Sequence, residues 1–476
     1  MRIQSASREA AENTKSHDIL HFKEQYETTG ESLTSSFVVK SSLRFKSKCK
    51  GFIMIKVLKT FCALLILVSC YNAWACPHKS NHKHPNIKLG IDNIFQQKYV
   101  QHLYGKNIGV LTNHTGVTSK LESTISFLQR NSKKYNYKVV AIFTPEHGFK
   151  GTSRNLEKVN DGLEGNVPVY SLYGETQRPT DIMLKDVDVI IYDIQDVGSR
   201  SFTYITTLFY TMEETVKKNI KVIVADRPNP LGGNLIDGTM VEEVWRSFYS
   251  FVDVPYCYGM TIGELASFFN VEYKINCDLV VIPMFGWKRG MVFSDTGLQW
   301  IPPSSHIPEP DTSFYYPMTG ILGELNIVSI GVGFTSPFKI IGAPWIHREH
   351  FADKLNTQQL AGVIFHPYSF KPYYGKYVGE ECHGVKIFIT NFKDVKPVSI
   401  QFAVINIIQE LYPDEFVARL NANQDKHELF SQINGTDKVL DAIKRSQKYE
   451  LSKLHTKQRR GFITKREQYL IKEYSE

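Results

Sequence analysis

Residues 187–194, VDVIIYDI, form a short and largely apolar run that indicates the fold class. Four runs of the same kind flank it in the chain, at 107–113 (NIGVLTN), 138–144 (KVVAIFT), 221–226 (KVIVAD) and 278–284 (DLVVIPM). Runs of this length that are rich in Val and Ile are typical of strands buried on both faces, and such strands belong to parallel sheets.

Helical stretches separate these strands. Residues 121–131, 201–218 and 261–269 have the apolar spacing of helices, so strands and helices alternate along the chain. Parallel strands need a crossover connection, which a helix in a right-handed arrangement supplies. The sequence therefore predicts an α/β fold, with a Rossmann-like parallel sheet in residues 88–290.

The composition changes after about residue 290. Pro and Gly are dense through 297–344, where no helix or strand is predicted. The elements expected beyond this segment are a helix at 348–355, strands at 363–370 and 385–390, and a helix at 398–411. We therefore expect residues 291–476 to form a smaller C-terminal α+β auxiliary domain.

An export signal lies inside the N-terminal region. Residues 54–76 have the basic start and short apolar run of a signal peptide, and Cys70 ends a sequence, LVSC, that resembles a bacterial lipoprotein box. A cut after Ala75 is the alternative and would give a secreted protein. We expect residues 1–53 to be an upstream extension that the mature protein lacks, and 77–87 to be a tether. The protein is therefore expected to be periplasmic, or held at the outer membrane by a lipid on Cys70.

The formal net charge of +8 is concentrated in the first part of the chain. Residues 1–53 carry nine Lys or Arg and six Asp or Glu, and Lys56 and Lys59 add two positive charges, which leaves +3 for 77–476. Nucleic-acid binders usually show a concentrated basic face, and the sequence shows none. We therefore expect no nucleic-acid partner, and contact with a membrane only through the lipid on Cys70.

The cysteines do not indicate a metal site. Seven are present, and no two have the C-x-x-C spacing of a zinc site or a thioredoxin-like motif. Cys257 and Cys277 either form a disulfide after export or remain as buried thiols. The sequence therefore predicts no bound metal.

Polar side chains follow four of the predicted strands, at the edge where parallel sheets bind their ligands. In chain order they are Asn113; Glu146 and His147; Asp193, Gln195, Asp196 and Arg200; and Asp226 and Arg227. Each has a structural alternative, since Asn and Asp also form turns and helix caps, and Asp226 with Arg227 can be a structural ion pair. Their coincidence at one edge of the sheet nevertheless predicts a binding site there.

Glu146 is the strongest candidate for a catalytic residue. It follows a buried strand, and Gly148 close behind it lets the backbone approach a ligand. A carboxyl at the end of a buried strand is partly desolvated, which suits a general acid. Glycoside hydrolysis needs such an acid and a second group, for which Asp193, Asp196 and Asp226 are candidates; attack by the substrate's own N-acetyl group is a further route.

Seven motifs, in the same order, resemble those of the exo-β-N-acetylmuramidase (NamZ-type) family of peptidoglycan-recycling glycoside hydrolases. They are GVLTNHTG (109–116), FTPEHGFKG (143–151), PVYSLYGETQRPT (168–180), DVIIYDIQDVGSRSFTYI (188–205), VADRPNPLGG (224–233), YGMTIGELASFFN (258–270) and IGAPWI (341–346). The resemblance runs from about residue 88 to the C-terminus.

The resemblance implies a Rossmann-like catalytic domain, an auxiliary domain and a cleft between them. It implies hydrolysis of N-acetylmuramic acid (MurNAc) from the non-reducing end of MurNAc-GlcNAc fragments, without a cofactor. The motif glutamate falls on Glu146 as the catalytic acid, with Asp193 and Asp196 as further catalytic candidates. Residues expected to line the sugar site are Asn113, His147, Gln195, Arg200, Asp226 and Arg227, joined by Glu380, Glu381 and His383 from the auxiliary domain. Arg200 or Arg227 is expected to bind the lactyl carboxylate of the substrate.

Two departures from the family pattern bear on substrate detail. Val332 stands where many relatives carry a basic residue, and His306 stands where we expect a smaller polar side chain. A non-catalytic muropeptide-binding lipoprotein is the alternative function, and the acidic set around Glu146 weighs against it. A dinucleotide-dependent oxidoreductase is disfavoured, because TNHTGVTS (112–119) replaces the G-x-G-x-x-G that would follow the first strand.

Overall fold

The main sheet has seven strands in the computed structural model, which describes residues 86–153, 157–447 and 453–475. In chain order these strands are β1 (Asn107–Thr112), β2 (Lys138–Thr144), β3 (Gly162–Glu164), β4 (Val167–Ser171), β5 (Val189–Asp193), β6 (Lys221–Ala225) and β7 (Leu279–Ile282). Their spatial order is β3-β4-β2-β1-β5-β6-β7, and only the β3–β4 pair is antiparallel. From β4 to β7 this is the strand order of a Rossmann fold, so the predicted fold class is confirmed.

A short helix precedes β1, and three longer helices connect β1 to β2, β5 to β6 and β6 to β7. They are α1 (Gln97–Val100), α2 (Thr124–Asn131), α3 (Tyr204–Val216) and α4 (Ile262–Glu272). Helix α4 begins with a capping box, in which Thr261 and Glu264 exchange side-chain to backbone hydrogen bonds. Because β1 lies between β2 and β5, the chain reverses its direction of travel across the sheet there, and Thr112 is paired with Asp193 at the carboxyl ends.

The rest of the described chain combines a small antiparallel sheet with helices. Its elements are α5 (Thr312–Glu324), β8 (Ile340–Ala343), α6 (Arg348–Asn356), β9 (Val363–Phe370), β10 (Cys382–Ile389), α7 (Pro397–Leu411), α8 (Pro413–Ala422), α9 (His427–Asn434), α10 (Lys438–Lys444) and α11 (Thr456–Arg466). The small sheet has the order β8-β10-β9. This part is the predicted α+β region.

Helix α5 lies in the segment 297–344, where the sequence predicted no element. It contains Pro317 together with Gly320 and Gly323, residues that weaken an isolated helix. Its burial compensates for this, since ten of its thirteen residues are buried and it packs against α7. Tertiary packing has overridden local propensity here.

One large core extends across the predicted domain boundary at 290/291. Phe209 of α3, Phe351 of α6 and Ile405 of α7 belong to the same cluster of buried side chains. From residue 86 onward the described chain belongs to a single compact unit. The exact boundary between the two predicted domains stays a prediction.

The C-terminal end of the chain packs against the first domain. The Tyr474 hydroxyl donates to Asp226 Oδ2 at 2.6 Å and accepts from the Met284 backbone N–H at 2.8 Å. The Tyr474 ring packs edge-on against Trp287, with 5.0 Å between the centroids. The Ile471 backbone N–H donates to Glu264 Oε1 at 2.8 Å. These contacts join the last residues to the carboxyl end of β6 and to the first turn of α4.

Several predictions for the N-terminal region lie outside the described residues. These are the upstream extension 1–53, the signal peptide 54–76, the lipid site Cys70 and all of the tether 77–87 except its last two residues, of which Ile87 is buried. Within the described residues, no helix has the length and apolar character needed to span a membrane. The described cysteines, at positions 257, 277 and 382, are buried free thiols, so the predicted alternative of a Cys257–Cys277 disulfide is not formed.

Candidate active site

A cleft of about 1090 Å³, including its open mouth, lies beside the end of β2. It is lined by Glu146, His147, Ser201, Phe202, Tyr256, Ser304, His306, Ile307, Tyr316, Gly320, Gly323, Glu324, Asn326, Val328, Ser329, Ile330, Val332, Phe338, Gly375, Lys376 and Ile433. The lining thus comes from the loop after β2, the start of α3, the length of α5 and the loop between β9 and β10. Both predicted domains contribute to one cleft.

Glu146 reaches the cleft because the chain turns sharply after β2. His147 and Gly148 both have left-handed backbone conformations, with φ of 70° and 76°. The His147 ring holds this turn through a contact of 3.0 Å between Nδ1 and the Ser153 carbonyl oxygen. Glu146 is only 6% exposed, and its Oε2 accepts a hydrogen bond of 2.9 Å from the Thr203 hydroxyl. The carboxyl is therefore held in one position at the cleft wall.

Tyrosine side chains surround Glu146. Tyr173 hydrogen-bonds to Glu146 and to Tyr249, and burial followed by the charge of Glu146 raises the pKa of the Tyr173 phenol. The phenol therefore stays protonated and can act as a donor. On another side of the cleft, the Tyr316 hydroxyl lies 2.9 Å from the Ser201 hydroxyl. A sugar ring would meet both hydroxyl groups and aromatic faces here.

Glu324 is a second carboxyl in the cleft, and the sequence did not predict it. It is the last residue of α5 and lines the same space as Glu146. Burial raises the pKa of Glu324, which the charge of Lys426 offsets only in part. Its sequence signal was weak, since Glu324 is one acidic residue in the apolar run GILGELNIV at 320–328.

Asp193 lies in a buried ion pair outside this lining. Its Oδ1 accepts from Arg227 Nε at 2.6 Å and its Oδ2 from Arg227 Nη2 at 3.0 Å, with side-chain exposures of 0% and 4%. The Thr124 hydroxyl also donates to Asp193, and Arg227 Nη2 donates to the Val117 carbonyl oxygen at 2.6 Å. These bonds engage both Asp193 oxygens, so the geometry gives Asp193 a structural role instead of the predicted catalytic one.

Asp226 extends this arrangement. Its oxygens accept from the Arg227 backbone N–H, the Gly263 backbone N–H, the Thr261 hydroxyl and the Tyr474 hydroxyl at 2.6–3.0 Å. Burial raises the pKa of Asp226 to about 7. We refer to Asp193, Asp226 and Arg227 as the rim network. It joins the ends of β5 and β6 to α2, α4 and the C-terminal segment, and its residues do not line the cleft.

Asn113 and Gln195 also bond within the protein. Asn113 Nδ2 donates to the Tyr204 hydroxyl at 3.1 Å, and its Oδ1 accepts from the Thr115 backbone N–H at 2.9 Å. Gln195 Nε2 donates to the carbonyl oxygens of Asp196 and Pro228. Gln195 lines a separate, shallow cavity together with Arg227, and no carboxyl group is part of its lining. The structure thus places neither residue beside Glu146 in the cleft.

Asp196 is buried behind the cleft wall. Its Oδ2 accepts from the Gly198 backbone N–H at 2.8 Å and from the Tyr258 hydroxyl, whereas Oδ1 has no partner within the described chain. Burial raises the pKa of Asp196 to about 6, despite these donors. Asp196 does not line the cleft, so its predicted catalytic role has no geometric support.

Arg200 has no donor left for a substrate. All five of its N–H groups bond inside the protein, to the Ser250 hydroxyl and to the carbonyl oxygens of Thr239, Val254, Ile433 and Asn434. The side chain is fully buried, which lowers the pKa of its guanidinium to about 10. We therefore replace the predicted contact with a substrate carboxylate by a structural role, which ties the end of α9 to the first domain.

The predicted residues of the auxiliary domain lie near the start of β10 and outside the cleft lining. Glu380 and Glu381 are exposed, and His383 Nδ1 lies 2.9 Å from the Ser369 hydroxyl. The two positions that depart from the family pattern, His306 and Val332, do line the cleft. Of the predicted site residues, the structure thus brings Glu146 and His147 together in the cleft. Within the described ranges, no cluster of three His, Cys, Asp or Glu side chains could hold a metal ion.

This chain is similar to known proteins in both sequence and fold. The family model described as exo-beta-N-acetylmuramidase NamZ, N-terminal, matches residues 108–311, and the corresponding C-terminal model matches 314–471. The peptidoglycan beta-N-acetylmuramidase NamZ of Bacillus subtilis (strain 168) is 42% identical over 358 residues, which cover 74% of this chain and 85% of the relative.

Two crystal structures of DUF1343 family proteins from Bacteroides fragilis NCTC 9343 have a similar fold. One has a TM-score of 0.74 and 40% identity, and covers 81% of this chain and 98% of its own. The other has a TM-score of 0.62 and 26% identity, and covers 82% of this chain and 99% of its own. The two family models together span most of the chain, so this chain belongs to the exo-β-N-acetylmuramidase NamZ family.

Proposed function

We propose that this chain is an exo-β-N-acetylmuramidase that releases MurNAc from the non-reducing end of MurNAc-GlcNAc peptidoglycan fragments during cell-wall turnover. The observation that carries this proposal is the position of Glu146, a buried and hydrogen-bonded carboxyl that faces a large cleft. The membership in the NamZ family and the 42% identity to the Bacillus subtilis enzyme supply the substrate class.

The reaction needs a proton at the glycosidic oxygen as the bond to the leaving sugar breaks. Glu146 is the group that supplies it, because its carboxyl lies at the cleft wall where Thr203 fixes its orientation. Phe202 and Tyr316 offer aromatic faces for the apolar side of a sugar, and Ser201 and Ser304 offer hydroxyl groups. The cleft is open to solvent on one side, so a sugar can enter it.

A chromogenic β-MurNAc glycoside tests this function directly. We expect the purified protein to release the chromophore from this substrate and not from the β-GlcNAc analogue, and Glu146→Gln to cleave MurNAc-GlcNAc at least about 100-fold more slowly than the wild type. Tight binding of MurNAc-GlcNAc without turnover would instead indicate a muropeptide-binding protein. Equal turnover of both glycosides would refute the assigned sugar.

We also propose that the protein is exported and held at a membrane by a lipid on Cys70. The support is the signal-like sequence of residues 54–76 and the motif LVSC that Cys70 ends. We expect the mature protein to begin at a lipidated Cys70 and the Cys70→Ala variant to appear in the soluble fraction. Mass spectrometry of the mature N-terminus checks this, and a start after Ala75 would show secretion instead.

A further inference from the structure

Glu324 occupies an unfavourable position that the fold does not explain. It is the C-terminal residue of α5, where unpaired carbonyl groups carry partial negative charge and favour a cation. Within the described chain its carboxyl has neither a hydrogen bond nor an ion pair. A largely buried carboxylate without a partner costs stability, and such violations of local rules concentrate at functional sites.

Glu324 and Glu146 share one environment. Both line the cleft, and Tyr316 of α5 lies close enough to both for their charges to act on it. Burial raises the pKa of Tyr249, and the charges of both carboxyls raise it further. The charge of Lys426 lowers the pKa of Glu324 in part, but the Lys426 ammonium pairs with Asp425 at 3.0 Å. The two carboxyls therefore reach the same substrate volume from different walls, one on the loop after β2 and one on α5.

We propose that Glu324 is the second catalytic carboxyl, which takes a proton from the water that attacks C1 of the bound sugar. As the water oxygen bonds to C1, the bond from C1 to the leaving oxygen breaks, and that oxygen takes the proton of Glu146. Glu146 ends ionised and Glu324 ends protonated, and exchange with solvent restores both groups. This assignment rests on the proposed glycosidase activity, and it replaces Asp193, Asp196 and Asp226 as candidates for the second group.

The environment of Glu324 suits a general base. Burial raises its pKa, which makes the carboxylate a stronger acceptor than one in water. Its lack of a partner leaves its oxygens available to a water molecule in the cleft. In the rim network, by contrast, Asp193 and Asp226 already accept hydrogen bonds on both oxygens.

The Glu324→Gln variant tests this role. We expect kcat to fall about 100- to 10,000-fold on the chromogenic β-MurNAc glycoside, with the acidic limb of the pH profile lost. We expect its melting temperature to be unchanged or raised, because the variant removes an unpaired buried charge. The first product formed should be the α-anomer of MurNAc, since direct attack by water inverts C1.

Two controls separate the possible outcomes. Glu349→Gln changes an exposed glutamate on α6 outside the cleft, and it should retain wild-type turnover. Turnover of Glu324→Gln within a fewfold of the wild type, or initial release of the β-anomer, overturns the proposal while leaving the glycosidase activity intact. Failure of the wild type to cleave the glycoside would refute the proposed function itself.

A second observation, independent of Glu324, concerns charge recognition in the cleft. Among the described residues that line it, Lys376 is the one Lys or Arg. Its ammonium lies 4.8 Å from the centre of the Tyr377 ring and has no ion-pair partner within the described chain. Burial and the neighbouring Arg419 lower the pKa of Lys376. The charged form of Lys376 is therefore disfavoured, and a bound anion would stabilise it.

We infer that Lys376 binds the lactyl carboxylate of MurNAc, the group that distinguishes this sugar from GlcNAc. Lys376→Met should raise KM for the MurNAc glycoside about 10- to 100-fold, the range for loss of one charge-assisted hydrogen bond, and leave kcat within a fewfold. Lys371→Met, in the same loop but outside the lining, serves as the control. An unchanged KM in the Lys376 variant would refute this role, even if the wild type cleaves MurNAc glycosides.

Discussion

The rim network and the cleft contain the same kinds of side chain but differ in how those side chains are used. In the rim network, Asp193, Asp226 and Arg227 bond to one another and to neighbouring backbone groups, and they lie outside the cleft. In the cleft, Glu146 and Glu324 face about 1090 Å³ of open space. Glu146 and Asp193 both lie at strand ends of one sheet, yet Asp193 is engaged by Arg227 whereas Glu146 lines a cleft large enough to hold a substrate.

Polar residues at strand ends therefore identify an edge of the sheet, and they do not by themselves identify a site. A buried charge must be paired if the fold is to tolerate it, so most such residues stabilise the loops that they belong to. We expect the functional members to be those at which a carboxyl meets a cavity. Four variants test this distinction between the rim network and the cleft.

Glu146→Gln should have the largest effect. Removal of the proton donor should lower kcat on MurNAc-GlcNAc by about 100- to 10,000-fold, because the leaving sugar hydroxyl needs a proton and a general acid contributes that much to the rate. Circular dichroism and the melting temperature should stay close to those of the wild type. A variant that retains a tenth or more of the wild-type rate would remove Glu146 from the mechanism.

Asp193→Ala should act on stability instead. It leaves Arg227 buried and unpaired, which should lower the free energy of unfolding by about 3–5 kcal/mol in urea titrations. Glu122→Ala is the matched control, since Glu122 pairs with Arg130 at the surface and should cost no more than about 1 kcal/mol. If Asp193→Ala stayed fully stable but inactive, the assignment of the rim network to structure would fail.

Asp196→Asn should change how stability depends on pH. The pKa of Asp196 is about 6 in the folded protein and about 3.9 in an unfolded chain, so the folded state binds this proton more tightly. The stability that it contributes is complete below about pH 4 and is lost as the pH rises through 6. Asn, which stays neutral, should make the variant more stable than the wild type by up to about 3 kcal/mol at pH 8 and equal to it at pH 4. A constant difference between pH 4 and pH 8 would contradict the shifted pKa.

Thr203→Val should have the smallest effect. It removes the hydroxyl that donates to Glu146 at 2.9 Å, and loss of this one hydrogen bond, which fixes the orientation of the carboxyl, should reduce kcat by about tenfold. Thr211→Val is a matched control on the same helix, because that hydroxyl donates to the Thr207 carbonyl oxygen, away from the cleft. Equal rates for both variants would show that Thr203 does not orient Glu146.

The sequence predicted the main sheet well because buried parallel strands leave a simple signal. The runs 138–144 and 363–370 coincide with β2 and β9, and the switch from β2 to the loop that carries Glu146 was expected. Helix α5 was not predicted, because Pro317 and its glycines resemble a loop and its stability comes from packing against α7. Because α5 was not predicted, the part of the cleft wall that it forms, including Glu324, was not predicted either.

The roles of the other candidate residues could not be predicted from local sequence. Arg200 donates hydrogen bonds to the carbonyl oxygens of Ile433 and Asn434, and Asp226 accepts one from the hydroxyl of Tyr474. These partners lie more than 200 residues away in the chain. Local patterns indicate which residues reach an edge of a sheet, whereas distant segments decide which of them remain available.

The contact of Tyr474 with Asp226 and Met284 also has a consequence for truncation. Asp226 accepts three hydrogen bonds from Arg227, Thr261 and Gly263, and a fourth from a hydroxyl 248 residues further along the chain. Removal of residues 471–475 would take that hydroxyl from Asp226 and the Ile471 N–H from Glu264, and so would open the carboxyl end of β6 to water. A distal segment that lies outside the cleft thus shields a buried carboxyl of the main sheet.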